Sequence, residues 1–543
     1  MSNHSRDAYV PRGSPKGSFD LKPLPQAHAP LACINPSDAM PFDNSILTIS
    51  HRKNLNTTKA IIVGGGIAGL SLALMMELAG IEYEILERYT GDEPDVGSGL
   101  VLGPPVLRLL EQMGMGILEE VEKVSKASSG LTVYDPEGRR LGRFEGVEKE
   151  RYGYHYLIMP RPAFHKILLD RVPKANIRFG KQVIETLQNP NGVSCKCSDG
   201  STYYGDIIVG ADGAQSLTRE RMFKQLSDQG RLPEADADPS VYEHVCVSGV
   251  SDELNKNEYP AIVDESAEFQ VIFNKKAFHS FWYMPIPGNR IAWSFYGVLS
   301  TPKQRPRTVL PTSASSTSFP PIKAPLPPSR TSSSHSTVTL GSKIYDDWLG
   351  GSHDAEEYLQ AVKEAICPAG PGSVADFLKH TPKERVTHID MGERLYKTWH
   401  HGRIVLIGDA CHQHLLVGAQ AAIQCILDGV CLVNLLYDME HNSPNEITKV
   451  FKKYQAKRSG IARSSIEETA ALDKVFHGQG IVVGMKRKFL FNNTFTFSMA
   501  NDSFNNNRPQ LSFLPFVDDR ATSKAYRQKV SSKLARNQNL NQD

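Results

Sequence analysis

The chain has 543 residues and a formal net charge of +2. That length exceeds one simple core, so two tandem or interleaved domains are expected, and the near-neutral charge excludes the basic footprint of a nucleic-acid-binding protein. Eight scattered cysteines show neither a C-x-x-C pair nor metal-ligand spacing, and no signal-peptide pattern or bilayer-length apolar run occurs, so a cytoplasmic protein without a metal centre is expected.

Residues 1–57, rich in Pro, Ser and Asn, read as a disordered leader. Residues 58–235 open a nucleotide-binding domain. Within them, 59–88 (KAIIVGGGIAGLSLALMMELAGIEYEILER) predicts a strand over 60–63, a glycine turn, a helix over about 68–79 stopped by Gly80, and a second strand over 83–86 closed by Glu87. Gly64 permits the tight turn, Gly66 lets the backbone approach a pyrophosphate, and Gly69 lets helix and strand pack closely. The helix N-terminus offers unpaired N–H groups to phosphates, and Glu87 can accept hydrogen bonds from an adenosine ribose. Strands inserted over 130–160, a helix over 161–171, a short strand at 177–179, a hairpin around 189–192 and a strand over 206–209 follow. Residues 236–300 read as a β-sheet domain, with strands 269–273, 281–284 and 291–296 and a turn at Pro287-Gly288-Asn289. Its aromatic content suits a flat organic substrate; Tyr283 and Tyr296 are candidates for touching it, with sheet core as the simpler role. The Ser/Thr/Pro-rich 301–343 reads as a disordered insertion. The sheet domain continues over 344–384, with a helix at 354–366. Residues 385–465 return to the nucleotide domain, with strands 385–394 and 404–408 and helices 419–437 and 444–463. A C-terminal extension occupies 466–543.

Two further segments indicate a flavin. In 206–219 (DIIVGADGAQSLTR), a strand leads to Asp212-Gly213 on the turn before a helix. In 403–428 (RIVLIGDACHQHLLVGAQAAIQCILD), a buried strand ends at Gly408-Asp409 and a helix starts near Gly418. An acid at such a strand edge can hold ribityl hydroxyls, and a helix N-terminus can stabilise negative charge on a reduced flavin ring.

With these three motifs in this order, the chain resembles the group A FAD-dependent monooxygenases of the p-hydroxybenzoate hydroxylase type, over about 59–463. The version GDACH, with a later Asp in the next helix, is most similar to uncharacterised fungal members. The resemblance implies an α/β fold in which a Rossmann-like FAD-binding domain is interleaved with a β-sheet substrate domain. It implies that Gly64, Gly66, Gly69 and Glu87 bind the ADP half of FAD, and that Gly99 to Val101 touch its flavin side through the backbone. Arg161 matches an FAD-contacting arginine, with surface pairing as its plain alternative. Asp212 and Gly213 match the motif linked to FAD and NAD(P)H, although Asp212 can equally cap a helix. Asp409 matches the acid that binds ribityl or pyrophosphate, and Ala422 a backbone contact to the ring. His412 suits a structural role, while that of His414 is open. The implied reaction uses NAD(P)H and O2 to hydroxylate or epoxidise a small aromatic or terpenoid-like molecule through a flavin C4a-hydroperoxide. No catalytic side chain is identified.

The chain departs from the family at Leu416, where proline is usual, and at Ala419 and Ala421, where glycines are usual. A positive φ at either alanine would cost about 1 kcal/mol, which leaves a non-oxygenating FAD oxidoreductase or an impaired flavoprotein as alternatives. A flavin-dependent halogenase is disfavoured, because the W-x-W-x-I-P signature has no full match. The segment 482–497 mixes aromatics with Lys486, Arg487 and Lys488. Packing on the substrate domain is the preferred expectation, and contact with a membrane surface the alternative.

Overall fold

The apolar run of Lys59–Val63 forms a strand buried on both faces, as a parallel strand covered by helices requires. It is the centre of a six-stranded sheet in the order 400–401, 404–406, 207–210, 59–63, 82–86 and 177–178. All pairings are parallel except that of the His400–His401 edge. Helix Ile67–Leu78 packs against helix Ala421–Tyr437, so the first and last motifs meet although about 350 residues separate them along the chain. The computed structural model describes residues 58–91, 99–239, 241–274, 279–304, 363–478, 481–491, 505–523 and 528–540. The leader 1–57, the insertion beyond residue 304 and most of the helix expected at 354–366 lie outside them.

The second sheet has nine strands. Its spine is Thr387–Met391, Val241–Val250, Arg290–Gln304, His279–Ile286, Ser266–Phe273, Lys126–Tyr134, Leu157–Pro160 and Gly99–Leu102, with Arg140–Glu145 beside Lys126–Tyr134. This corrects three expectations. The strands within 130–160 are part of the substrate sheet, because Lys126–Tyr134 pairs in parallel with Ser266–Phe273. The strand in 385–394 also stays in that sheet, pairing with Val241–Val250. Residues 301–304, assigned to the insertion, instead finish the strand Arg290–Gln304. Local periodicity locates a strand but does not identify its partner.

The turn at 287–289 forms as expected, with Gly288 at φ 81° and Asn289 at φ 54°, the positive values a tight hairpin requires. The last long helix runs over Pro444–His477, 14 residues past its expected end. Its distal half buries Ser465, Thr469 and Asp473, a polar stripe that a search for apolar periodicity does not register. Among the described residues, no helix is long and apolar enough to cross a membrane.

Candidate active site between the two sheets

Two cavities run along the C-terminal ends of the parallel strands and share Gly66, Arg161, Ala211 and Gly213 in their walls. The first, about 260 Å³, is lined by Gly64, Gly66, Glu87, Arg161, Asp212 and Gly213. The second, about 360 Å³, has Gly66, Gly99, Val101, Arg161, Gly213, Asp409 and Ala422 in its walls. Every residue expected at the cofactor therefore lines a cavity except Gly69. A Cβ on Gly69 would be driven into the carbonyl oxygen of Gly64, so its role is to seat the helix on the turn.

Gly64 has φ 106°, and a Cβ on it would meet the Ala211 backbone. Gly66 has open space where a Cβ would stand, as a surface approached by a ligand backbone should. Glu87 ties the turn together: Oε2 accepts from the Gly65 amide at 2.6 Å and Oε1 from the Tyr89 amide at 2.9 Å. His165 Nε2, on helix Arg161–Leu169, lies 2.9 Å from the Gly65 carbonyl and braces the same loop. Asp212 is occupied locally. Its Oδ1 accepts from Ser216 Oγ at 2.6 Å, and its Oδ2 from the Thr218 amide and hydroxyl at 2.9 and 3.0 Å. Its side chain thus supports the first turn of helix Leu217–Asp228, whose N-cap is Ser216, and the residue also lines the first cavity.

Asp409 stands on the loop after Ile404–Leu406. Burial pushes its carboxyl upward, against the lowering influence of His412, Arg161 and Arg219. The loop is held from below by the later Asp of the next helix. Asp428, fully buried, accepts from the Gly408 amide at 2.9 Å, from His412 Nε2 at 2.6 Å and from Arg458 Nε at 2.7 Å. Burial alone would raise that carboxyl; the charges of His412 and Arg458 hold it well below the ordinary carboxylate range. Cys411, His412 and Asp428 are close enough to suggest a metal site. Arg458 instead supplies the compensating charge, and Cys411 Sγ faces the Leu406 and Gly408 carbonyls at 3.5 and 3.4 Å.

Opposite the flavin-type wall, the second cavity is closed by the nine-stranded sheet through Phe269, Trp282, Met284 and Met391. Three polar side chains border this apolar surface: Ser294 and Tyr296 on the sheet, and His414 on the loop that carries Asp409. Ser294 Oγ is 3.0 Å from Ser248 Oγ. Tyr296 donates to Asp473 Oδ1 at 3.0 Å. The same carboxylate meets His477 Nδ1 at 2.9 Å and His244 Nε2 at 3.3 Å, and His477 Nε2 lies 3.0 Å from Ser280 Oγ. Burial would raise the Asp473 carboxyl, but its histidine partners hold it low; burial, then this carboxylate, push the Tyr296 phenol far up. Tyr296 thus remains protonated. His414 is 4% exposed, and neither ring nitrogen has a hydrogen-bond partner among the described residues. Burial, reinforced by His412, pushes its pKa down to about 3 and keeps it neutral. Tyr283, the other tyrosine candidate, belongs to the core of the sheet's far face.

Comparison with known proteins places this arrangement. The family model described as "FAD binding domain" matches residues 57–292 and 347–469. The FAD-dependent monooxygenase atmM of Aspergillus flavus is 25% identical over 472 residues, covering 84% of this chain and 87% of its own. The FAD-dependent monooxygenase nodM of Hypoxylon pulicicidum is 27% identical over 411 residues, covering 74% and 76%. Among solved structures, Klebsiella pneumoniae HpxO complexed with FAD and uric acid superposes with a TM-score of 0.60 at 17% identity, covering 82% of this chain and 97% of that one. A salicylate hydroxylase substrate complex gives 0.54 at 17% identity, covering 84% and 99%; at such identities these two structures establish the shared fold. Glycine turn, Asp-Gly turn and buried Gly-Asp loop converge on one crevice facing an apolar sheet, and the chain belongs to the FAD-binding-domain family as an FAD-dependent monooxygenase of the group A, p-hydroxybenzoate hydroxylase-like type.

Proposed function

We propose that this monooxygenase uses NAD(P)H and O2 to hydroxylate or epoxidise a neutral, largely apolar organic molecule held between the Asp409 loop and the nine-stranded sheet. FAD would lie along the two joined cavities. Gly64, Gly66 and Glu87 would hold its adenosine and pyrophosphate, with Gly69 seating the helix behind them and Asp212 and Gly213 bordering the path. Arg161 and Asp409 would hold the central chain, and Gly99, Val101 and Ala422 the ring. The cofactor, when bound, supplies the redox chemistry; the protein binds, orients and excludes water.

The main support is the asymmetry of the second cavity. Its two charged residues, Arg161 and Asp409, stand at the start of helix Arg161–Leu169 and on the Gly-Asp loop, and the strands that close the cavity present Phe269, Trp282, Met284 and Met391 with the neutral Ser294 and Tyr296. Because Tyr296 spends its proton on Asp473, its oxygen can only accept from a ligand, which favours a substrate hydroxyl or N–H over a carboxylate. His414, neutral and unpartnered among the described residues, is suited to the same task. Tyr296→Phe should raise KM for a hydroxyl-bearing substrate roughly tenfold through loss of a hydrogen bond worth about 1–1.5 kcal/mol, with FAD content unchanged. Purified holoprotein should show NAD(P)H and O2 consumption stimulated by neutral aromatic or terpenoid compounds and not by aryl carboxylates. Failure of all neutral compounds, or stimulation by carboxylates alone, would overturn the proposal.

A further inference from the structure

Helix Ile481–Phe491 is oriented opposite to the ordinary amphipathic pattern. Its arginine faces inward. Arg487 is buried, donates to the carbonyls of Val475, Phe476 and Gly478 at 2.7, 3.3 and 2.8 Å, and lies 4.4 Å above the Phe273 ring. Phe491 is buried beside it, edge-on to Phe144. Four of its apolar residues face outward: Ile481, Val482, Met485 and Phe489 are 85%, 66%, 67% and 61% exposed.

At 100° per residue, the four form one stripe about 100° wide, with Lys488 on one edge and Lys486 on the other. Both lysines are exposed. A soluble protein gains nothing by fixing a large apolar stripe toward water when the other face of the same helix carries an arginine. The carbonyls at the end of Pro444–His477 and the Phe273 ring nevertheless lock it that way. Residues 474–501 contain three lysines and one arginine and no acid.

We infer that this helix docks the protein on an anionic lipid surface, with the stripe entering the headgroup–acyl boundary and Lys486 and Lys488 on lipid phosphates. A second copy of the chain would present the same lysines and repel them, whereas an anionic bilayer satisfies stripe and lysines together. The position is functionally apt. Phe491 packs in the cluster of Phe273 and Phe476, against which Phe269, Trp282 and Val417 lie, and these last three also line the second cavity. The helix is thus one layer of side chains from the apolar site.

The test uses full-length FAD holoprotein and sedimentation with vesicles of phosphatidylcholine alone or with added phosphatidylserine. Wild type should sediment with the anionic vesicles and less with the neutral ones. Met485→Glu/Phe489→Glu and Lys486→Glu/Lys488→Glu should each bind on the order of tenfold more weakly or worse, with flavin absorbance and melting temperature retained. Because no turnover is measured, the result is independent of the substrate proposal. No binding by wild type, binding indifferent to both double variants, or a dimer that Met485→Glu/Phe489→Glu dissociates would overturn it.

Discussion

Ala419 sits at φ 50° in the left-handed region, beside the cavity where the resemblance places the flavin ring. The departure from glycine identified in the sequence is therefore a conformational one: the backbone keeps the geometry glycine would adopt, and the alanine carries the strain. Restoring glycine trades relief of about 1–2 kcal/mol of Cβ crowding against about 0.5–1 kcal/mol of added chain entropy. Ala419→Gly should raise stability by up to about 1.5 kcal/mol, read from the melting temperature, while Ala419→Val should lower it. Ala421, by contrast, opens the helix Ala421–Tyr437 and shows no positive φ, so its substitution for glycine is conformationally benign. Gly418 is retained for another reason: a Cβ there would run into the Thr469 side chain.

Among the elements, Pro444–His477 does the most to join the site. Its first half sends Arg458 to Asp428 beneath the Asp409 loop, and its second half sends Asp473 and His477 to the back of Tyr296. One rigid helix therefore fixes the relation between the nucleotide-domain wall and the substrate wall. Removing Arg458 would leave Asp428 buried with reduced compensation, so Arg458→Met should cost about 3–5 kcal/mol in chemical denaturation. Asp428→Asn should cost a similar amount, because it leaves the buried Arg458 guanidinium without its carboxylate, and it should also weaken FAD retention by loosening the Gly408 amide. The glycine turn, its helix and Glu87 were legible because each depends on neighbours along the chain. The distal half of the long helix was not, because its buried side chains are polar and their partners lie more than 150 residues away.

For the molecule as a whole, burial of neutral histidines sets an acid limit. His279 is fully buried, and burial, with His477 nearby, pushes its pKa down to about 4; His414 is pushed to about 3. The unfolded chain takes up these protons first, near pH 6.5, so their contribution is complete above that value and is lost as pH falls toward the folded-state values. His279 alone accounts for on the order of 3 kcal/mol of this loss. The melting temperature should therefore decline steadily from about pH 6.5 to 4, and His279→Phe should make that decline shallower throughout.

The amino-acid sequence by itself determined the cofactor and the family. Gly64, Gly66, Gly69 and Glu87 act through a single turn, and the Asp-Gly and Gly-Asp motifs each sit at the end of one strand, so their chemistry follows from local backbone geometry. The tertiary structure decided what faces the cofactor. It moved the strands of 126–160 and 387–391 into the substrate sheet, separated Tyr296 at the cavity from Tyr283 in the core, and turned Arg487 inward and Phe489 outward. Strand partners, buried polar contacts and the exposed face of a helix are set by packing between distant segments, and no short-range pattern encodes them.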